Sequence, residues 1–454
     1  MSVTVGELVR TFSSPNQHLM NSLLERVSVA WFGEHDWSIR LPAVMFGIAT
    51  IPAIYWLART VMGGWQSLSV AFLTAVSYHH IWFSQNARGY SSYLLFCVIA
   101  TTAFWYLIHT TASRWIWIYA LSAVLGLASL IIAAPVLATH VILAAFYMYL
   151  ASRRGDAVAP LERRLVFAFG AAVLVSFVIY GPTAIEILSS VEGAYVKQGT
   201  GFNPVSFEFV TETLRGLGVG FGSLALVGAI PFLVLVGVGT LSLMRRGWLV
   251  VLSFVLPLGM MAALVVVEGW LTSPRFFILV VPLAFLVAVE SLDLVARALV
   301  RLVPDSARAR LQGVLSGAAV ALCAVALAFG LPRYYAIPKQ SFRAAISSFT
   351  TRSRDGDALI AVYQADRGFD MYTHRFSLDT TGRFYSTRTP EGLDSLGTRL
   401  AGRRVWLATT MERAFKLEEP GLWKRVEDGW TPVETLPATV GNGEITIWEP
   451  KTGR

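Results

Sequence analysis

The chain has 454 residues, 55% hydrophobic and only 15% charged, with a mean hydropathy of +0.57. Soluble domains carry about a quarter charged residues, so this composition marks an integral membrane protein. The net charge of +8 does not point to nucleic acid, because the arginines cluster in short loops between apolar runs, where charge sets orientation. Cys97 and Cys323 both lie inside apolar runs, which excludes a disulfide framework and a cysteine metal site.

Met1 to Arg10 contains no apolar core of a signal peptide. Residues 18–32 follow a helical period. Met20, Leu23, Leu24, Val27 and Trp31 fall on one face, and Asn21, Ser22, Glu25 and Arg26 on the other. Two readings stand: a helix lying along the membrane surface, or a packed helix of a soluble cap.

Crossing about 30 Å of hydrocarbon takes roughly 20 apolar residues. Ten runs qualify: 41–60, 67–84, 90–109, 115–132, 134–151, 165–183, 223–243, 247–267, 276–296 and 312–331. One set of alternating loops holds Arg59, Arg114, Arg153, Arg154, Arg163, Arg164, Arg245, Arg246, Arg297, Arg301, Arg308 and Arg310, and should be cytoplasmic. The other set should face outward: residues 1–40, the turn 85–89, the loop 184–222 and the segment Glu268 to Arg275. Residues 333–454 then also fall outside. They are more charged, with β-like runs at Ala358–Tyr363, Arg404–Thr409 and Glu444–Glu449 and a helical stretch at Phe342–Phe349. The expected fold class is an α-helical polytopic membrane protein: a loop region 1–40, a transmembrane domain 41–332 and an extracytoplasmic α/β domain 333–454.

Three polar clusters fall on the outward side. They are Asn16-Gln17-His18; His80, Gln85, Arg88 and Tyr90; and Glu268 with Arg275. Polar groups at the edge of hydrocarbon are costly and more often functional than decorative. Together they suit an anionic headgroup such as a lipid-linked phosphate. Blander readings exist. Arg40 and Arg275 sit at span ends, where arginines snorkel to lipid headgroups. His79 and His80 suit satisfied interfacial residues, and His109 and His140 suit packing within the bundle. No tight metal-binding spacing and no nucleotide-binding glycine loop occurs. A divalent metal stays possible but unreadable, since the outward carboxylates are few: Glu186, Glu192, Glu208, Glu212 and Glu268.

The order of Asn16-Gln17-His18, then Arg40-Leu41-Pro42-Ala43 opening a span, then His80 through Tyr90, resembles the membrane-embedded GT-C glycosyltransferases. The nearest group is that of the protein O-mannosyltransferases, aminoarabinose transferases and their bacterial relatives. The stretch Gln340-Ser341-Phe342-Arg343-Ala344-Ala345 also looks like the entry to that group's outer domain. The resemblance implies a transferase that passes a sugar from a polyprenyl-phosphate donor to a glycan, lipid or protein acceptor on the outer face of the plasma membrane. Basic residues would hold the phosphate leaving group, with His18 near it and His80, Gln85, Arg88 and Tyr90 lining or bracing the cavity. Two departures stand out. Leu19 replaces the group's proline. The group's first span and its acidic base would lie upstream of Met1. A lipid-binding protein without transferase activity is the alternative reading, and a transporter is a third.

Overall fold

The computed structural model describes residues 18–183, 225–267, 274–301, 303–375, 382–438 and 443–451. The chain forms two compact units, Met1–Gly330 and Leu331–Arg454.

The first unit is a helical bundle. It comprises α1 (Leu19–Phe32), α2 (Asp36–Arg59), α3 (Gly64–Val76), α4 (Tyr78–Ser84), α5 (Tyr90–His109), α6 (Arg114–Ser129), α7 (Ala134–Arg153), α8 (Ala159–Tyr180), α9 (Ala225–Val267), α10 (Val280–Val300) and α11 (Asp305–Ala328). Six of the described helical segments are long and apolar enough to cross a membrane. Each of the ten apolar runs is helical over most of its described residues. The protein is a multi-pass membrane protein.

The boundaries differ from the expected ones at two places, each for a local reason. The run 67–84 breaks at Ser77, whose extended backbone (ψ 123°) ends α3 and whose hydroxyl accepts from the His80 N–H to start α4. Residues 244–246, expected as a loop, are helical. The break in α9 falls instead at Gly247, where φ −156° and ψ 55° leave the helical region. A Cβ there would crowd the Val61 side chain and force it to shift.

The surface helix α1 is inverted relative to an ordinary interfacial helix. Asn21 and Ser28 are buried, while Trp31 is 78% exposed and Val27 and Phe32 lie open. The helix packs against α2 and α6. Its polar stripe faces protein and its apolar stripe faces outward. That arrangement is stable only where hydrocarbon replaces water around the apolar face. The α1–α2 corner is stitched by Ser38, which donates to the Gly33 carbonyl (2.6 Å), while Ser28 donates to the Ser38 carbonyl (2.6 Å).

At the opposite end of the helices lies a buried polar network. Glu290, fully buried on α10, accepts from Ser242 (2.6 Å) and pairs with Arg246 (3.0 Å). Asp293 accepts from Gln66 (3.3 Å), Gln312 (3.0 Å) and Ser316 (3.3 Å) and pairs with Arg297 (2.6 Å). The network ties α3, α9, α10 and α11 together. Arg164 also bonds the Thr110 carbonyl, fastening α8 to the end of α5. His140 belongs to the core. It contacts Thr101 (3.3 Å) and Tyr119 (3.2 Å) and stacks on Phe104, so its hydrogen bonds are satisfied.

The second unit follows as α12 (Leu331–Ala336), α13 (Phe342–Arg352), β1 (Ala358–Val362), α14 (Ala365–Arg375), β2 (Phe384–Thr387), α15 (Pro390–Arg399), β3 (Val405–Thr410), α16 (Glu412–Glu418), α17 (Pro420–Gly429), β4 (Trp430–Leu436) and β5 (Ile445–Pro450). Its mixed sheet has the order β2-β1-β3-β5-β4. The strands β1, β2 and β3 are parallel, and β5 and β4 return antiparallel. Strands β1 and β3 are buried at every position, as expected for central strands covered on both faces.

Candidate functional site

The site is assembled where α1, α5, α6 and the Pro274–Phe277 turn meet. His18 caps the start of α1 and is only 9% exposed. Its ring packs on Tyr90, with centroids 5.5 Å apart. Tyr90 is the first residue of α5, is fully buried, and also contacts Phe83 (5.4 Å) and Phe276 (6.5 Å). Gly89 makes the approach possible. A side chain there would strike the Ser129 carbonyl and come within 3.2 Å of the His18 Nδ1. The sequence Arg88-Gly89-Tyr90 therefore works as a unit: a cation, a space and an aromatic brace.

Two arginines act on His18. Burial disfavours its charged form most strongly, Arg88 next and Arg275 least, while the neighbouring Ser129 carbonyl partly offsets them. The imidazole is driven down to about 4 and is neutral at pH 7. At neutral pH the cations of this site are therefore Arg88 and Arg275, with His18 as a neutral neighbour of both. Arg275 lies over the Phe276 ring at 5.4 Å.

Among the described residues, several buried polar atoms here lack a full hydrogen bond: the Tyr90 hydroxyl, the Asn21 Oδ1, the Arg275 Nε and the His18 ring nitrogens, one of which faces the Ser129 carbonyl without full hydrogen-bond geometry. Buried polar groups are nearly always satisfied. His18, Tyr90 and Arg275 thus keep hydrogen-bonding capacity beside the Arg88 guanidinium.

The remaining residues singled out in the sequence fall elsewhere. His80 turns its Nε2 to the Gly47 carbonyl (3.0 Å) and fastens α4 to α2. Gln85 caps the end of α4 and has interactions of its own. Asn16, Glu268 and the carboxylates Glu186, Glu192, Glu208 and Glu212 lie outside the described residues. Among the described residues no group of three metal-binding side chains occurs.

Sequence reasoning missed Ser129, whose contribution is a backbone carbonyl and leaves no compositional trace. It also placed Asn21 and Glu25 on a solvent face. The structure turns them inward, with the Asn21 amide donating to Glu25 at 2.5 Å. Burial pushes the Glu25 carboxyl up to about 7, and the Asn21 bond only partly restrains it. His18, Asn21 and Glu25 share one face of α1 at the i, i+3, i+7 spacing, which could have been read had the helix been known to lie polar side in.

The chain shares its fold with solved membrane-protein structures. The structure is similar to that of ArnT from Cupriavidus metallidurans in the apo state, with a TM-score of 0.56 and 10% identity over 98% of this chain and 90% of that one. The chain has the GT-C membrane glycosyltransferase fold. A second similar structure of this fold is the archaeal oligosaccharyltransferase AglB from Archaeoglobus fulgidus, in complex with an inhibitory peptide and a dolichol-phosphate. There the TM-score is 0.51 and the identity 13%, over 91% of this chain and 64% of that one. In sequence, residues 16–180 match the family model of dolichyl-phosphate-mannose-protein mannosyltransferases. That segment carries His18, Arg88 and Tyr90, while Arg275 lies beyond it. No curated protein sequence matches the chain significantly.

Proposed function

We propose that this protein transfers a sugar from a polyprenyl-phosphate donor to an acceptor at the extracytoplasmic face of the plasma membrane. The observation that carries the reading is the convergence of His18, Arg88 and Arg275 around buried polar atoms that lack full hydrogen bonds among the described residues. Such a constellation matches a phosphate that must be held and then released as a leaving group.

The chemistry follows from charge. As the glycosidic C–O bond to phosphate breaks, negative charge grows on the phosphate oxygens. Arg88 and Arg275 are fixed cations that need no reorganisation at that moment. The His18 imidazole donates one hydrogen bond while neutral. An arriving phosphate raises its proton affinity, so donor binding draws a proton onto the ring. The Tyr90 hydroxyl supplies a further donor. A base toward the acceptor is expected from an acidic side chain of the first outer loop. The C-terminal unit and the segment 184–222 would select the acceptor, a glycan, lipid or protein.

The test is sugar transfer or donor hydrolysis by the protein in lipid nanodiscs, supplied with a polyprenyl-phosphate hexose. Wild type should release polyprenyl phosphate. Arg88→Ala and His18→Ala should insert normally and lose about a hundredfold to a thousandfold in rate, as when one oxyanion contact is removed. Donor binding without turnover under all acceptors would support a lipid-binding protein instead, and wild-type turnover in both variants would remove these residues from the mechanism.

A further inference from the structure

In the C-terminal unit, α17 leads directly into the edge strand β4, and β5 pairs beside it. A cleft of about 420 Å³ opens there, lined by Trp423, Trp430 and Trp448 together with Glu427, Thr435 and Thr446. That size falls within the roughly 300–1,000 Å³ typical of small-ligand sites.

Trp423 and Trp448 are buried, each 7% exposed, and form the floor behind the cleft. The Trp423 and Trp448 rings meet edge to face at 5.8 Å, and the Trp448 Nε1 donates to the Thr409 hydroxyl at 2.8 Å. Trp423 is backed by Phe415 at 5.3 Å. Trp430 is only half-buried and stands at the junction of α17 and β4. The positive charges of the wall are already engaged. Lys416 pairs with Glu412 at 2.6 Å and lies over the Trp423 ring, and Lys451 donates to the Glu427 carbonyl at 2.7 Å. The Glu427 carboxylate makes no ion pair among the described residues. Thr435 and Thr446 offer hydroxyls 3.4 Å apart across the strand pair.

This combination selects a ligand class. The lining carries two carboxylates, Glu412 and Glu427, against the single ammonium of Lys451, which disfavours phosphates and other anions. The partly open Trp430 indole beside hydroxyls and a carboxylate matches a molecule with apolar C–H faces and polar hydroxyl edges. A pyranose ring has that anatomy: its C–H face packs on an indole, and its hydroxyls donate to the carboxylate and exchange bonds with threonine. We propose that the cleft between α17 and the β4–β5 pair is a saccharide-binding site that holds the sugar portion of the acceptor. Its role in acceptor recognition rests on the transferase reading above; the binding of saccharide does not.

The experiment uses the full chain in nanodiscs with neutral linear tri- and tetrasaccharides of hexoses, followed by saturation-transfer NMR and indole fluorescence. We expect saturable binding that weakens at least tenfold in Trp430→Ala and in Glu427→Gln. Glu427 is exposed, so its substitution leaves the fold intact even if Trp430→Ala unfolds the unit. Arg88→Ala should retain saccharide binding. Absence of saturable binding for every saccharide overturns the proposal, as does binding that both cleft variants leave unchanged. Preferential binding of an apolar peptide in the cleft also overturns it. If saccharide binds but no donor is ever turned over, the cleft stands and the transferase reading falls. If donor is turned over and the acceptor KM is unmoved in Glu427→Gln and Trp430→Ala, the cleft proposal falls and the transferase reading stands.

Discussion

The His18 imidazole packs on the Tyr90 ring at 5.5 Å and 59°, joining the start of the surface helix to the start of a membrane-spanning one. The contact exists because Gly89 has no side chain. A methyl group there would press on the Ser129 carbonyl and on His18. Gly89→Ala should therefore push α5 from α6 and displace His18. We expect a loss of about 1–3 kcal/mol, as for other overpacked sites, together with weakened donor binding. Thermal unfolding in detergent beside a donor-binding assay checks both; an unchanged Tm with unchanged binding contradicts the packing account.

Acid should destabilise the protein through His18. Its folded-state value of about 4 lies below the ordinary 6.5, so the unfolded state binds the proton more readily. The associated stability is complete above pH 6.5 and is lost as pH falls toward 4. The shift corresponds to about 3 kcal/mol. His18→Asn should flatten the fall in Tm over that window. An identical pH profile in the variant would remove His18 as its source.

Glu25 acts in the opposite direction. Its carboxyl is raised from 4.5 to about 7, so the folded state holds the proton more tightly. That stability is present below pH 4.5 and fades as pH rises through 7. Glu25→Gln, which keeps a neutral side chain beside Asn21, should make Tm less sensitive to pH between 5 and 8 (the ordinary titration range about these values). Carbonyl infrared spectroscopy of the protonated carboxyl, compared between wild type and variant, reads the group directly; full ionisation at pH 5.5 contradicts the assignment.

Glu290 anchors the other end of the bundle. It is fully buried and pairs with Arg246 and Arg297, which are 40% and 35% exposed. Breaking a fully buried pair costs about 3–5 kcal/mol. Partial hydration of both arginines lowers the expected loss for Glu290→Ala to roughly 2 kcal/mol. Thermal unfolding measures it, and sugar-transfer activity of the surviving folded protein should be close to that of wild type, since the network is at the end opposite His18. A variant as stable as wild type would show the network to be ornamental.

Much of this was legible in the sequence, and the failures are specific. Long apolar runs report helices because hydrocarbon leaves the backbone no other partner, and so 90–109 appears as Tyr90–His109 unchanged. The break at Ser77 and the continuity through Arg245 and Arg246 were not legible, since a serine cap and a single glycine decide them against the hydropathy pattern. In the C-terminal unit the buried strands β1, β3 and β5 stood out as β-branched and aromatic runs. The edge strands β2 and β4 did not, because exposed strands read like loops. Arg88, Tyr90 and Arg275 were visible as polar residues beside hydrocarbon, and the structure brings them to His18. The neutrality of His18 was not visible, because burial and the two arginines that cause it come from distant parts of the chain.

The central claim is that His18, Arg88 and Arg275 hold the phosphate of a lipid-linked donor. The most direct measurement is the affinity of the nanodisc-reconstituted protein for a polyprenyl phosphate, compared between wild type and Arg88→Ala at fixed salt. Loss of one charge-assisted contact to phosphate predicts binding weaker by roughly tenfold to a hundredfold, with the folded structure retained. Equal affinity in a folded variant would contradict the account.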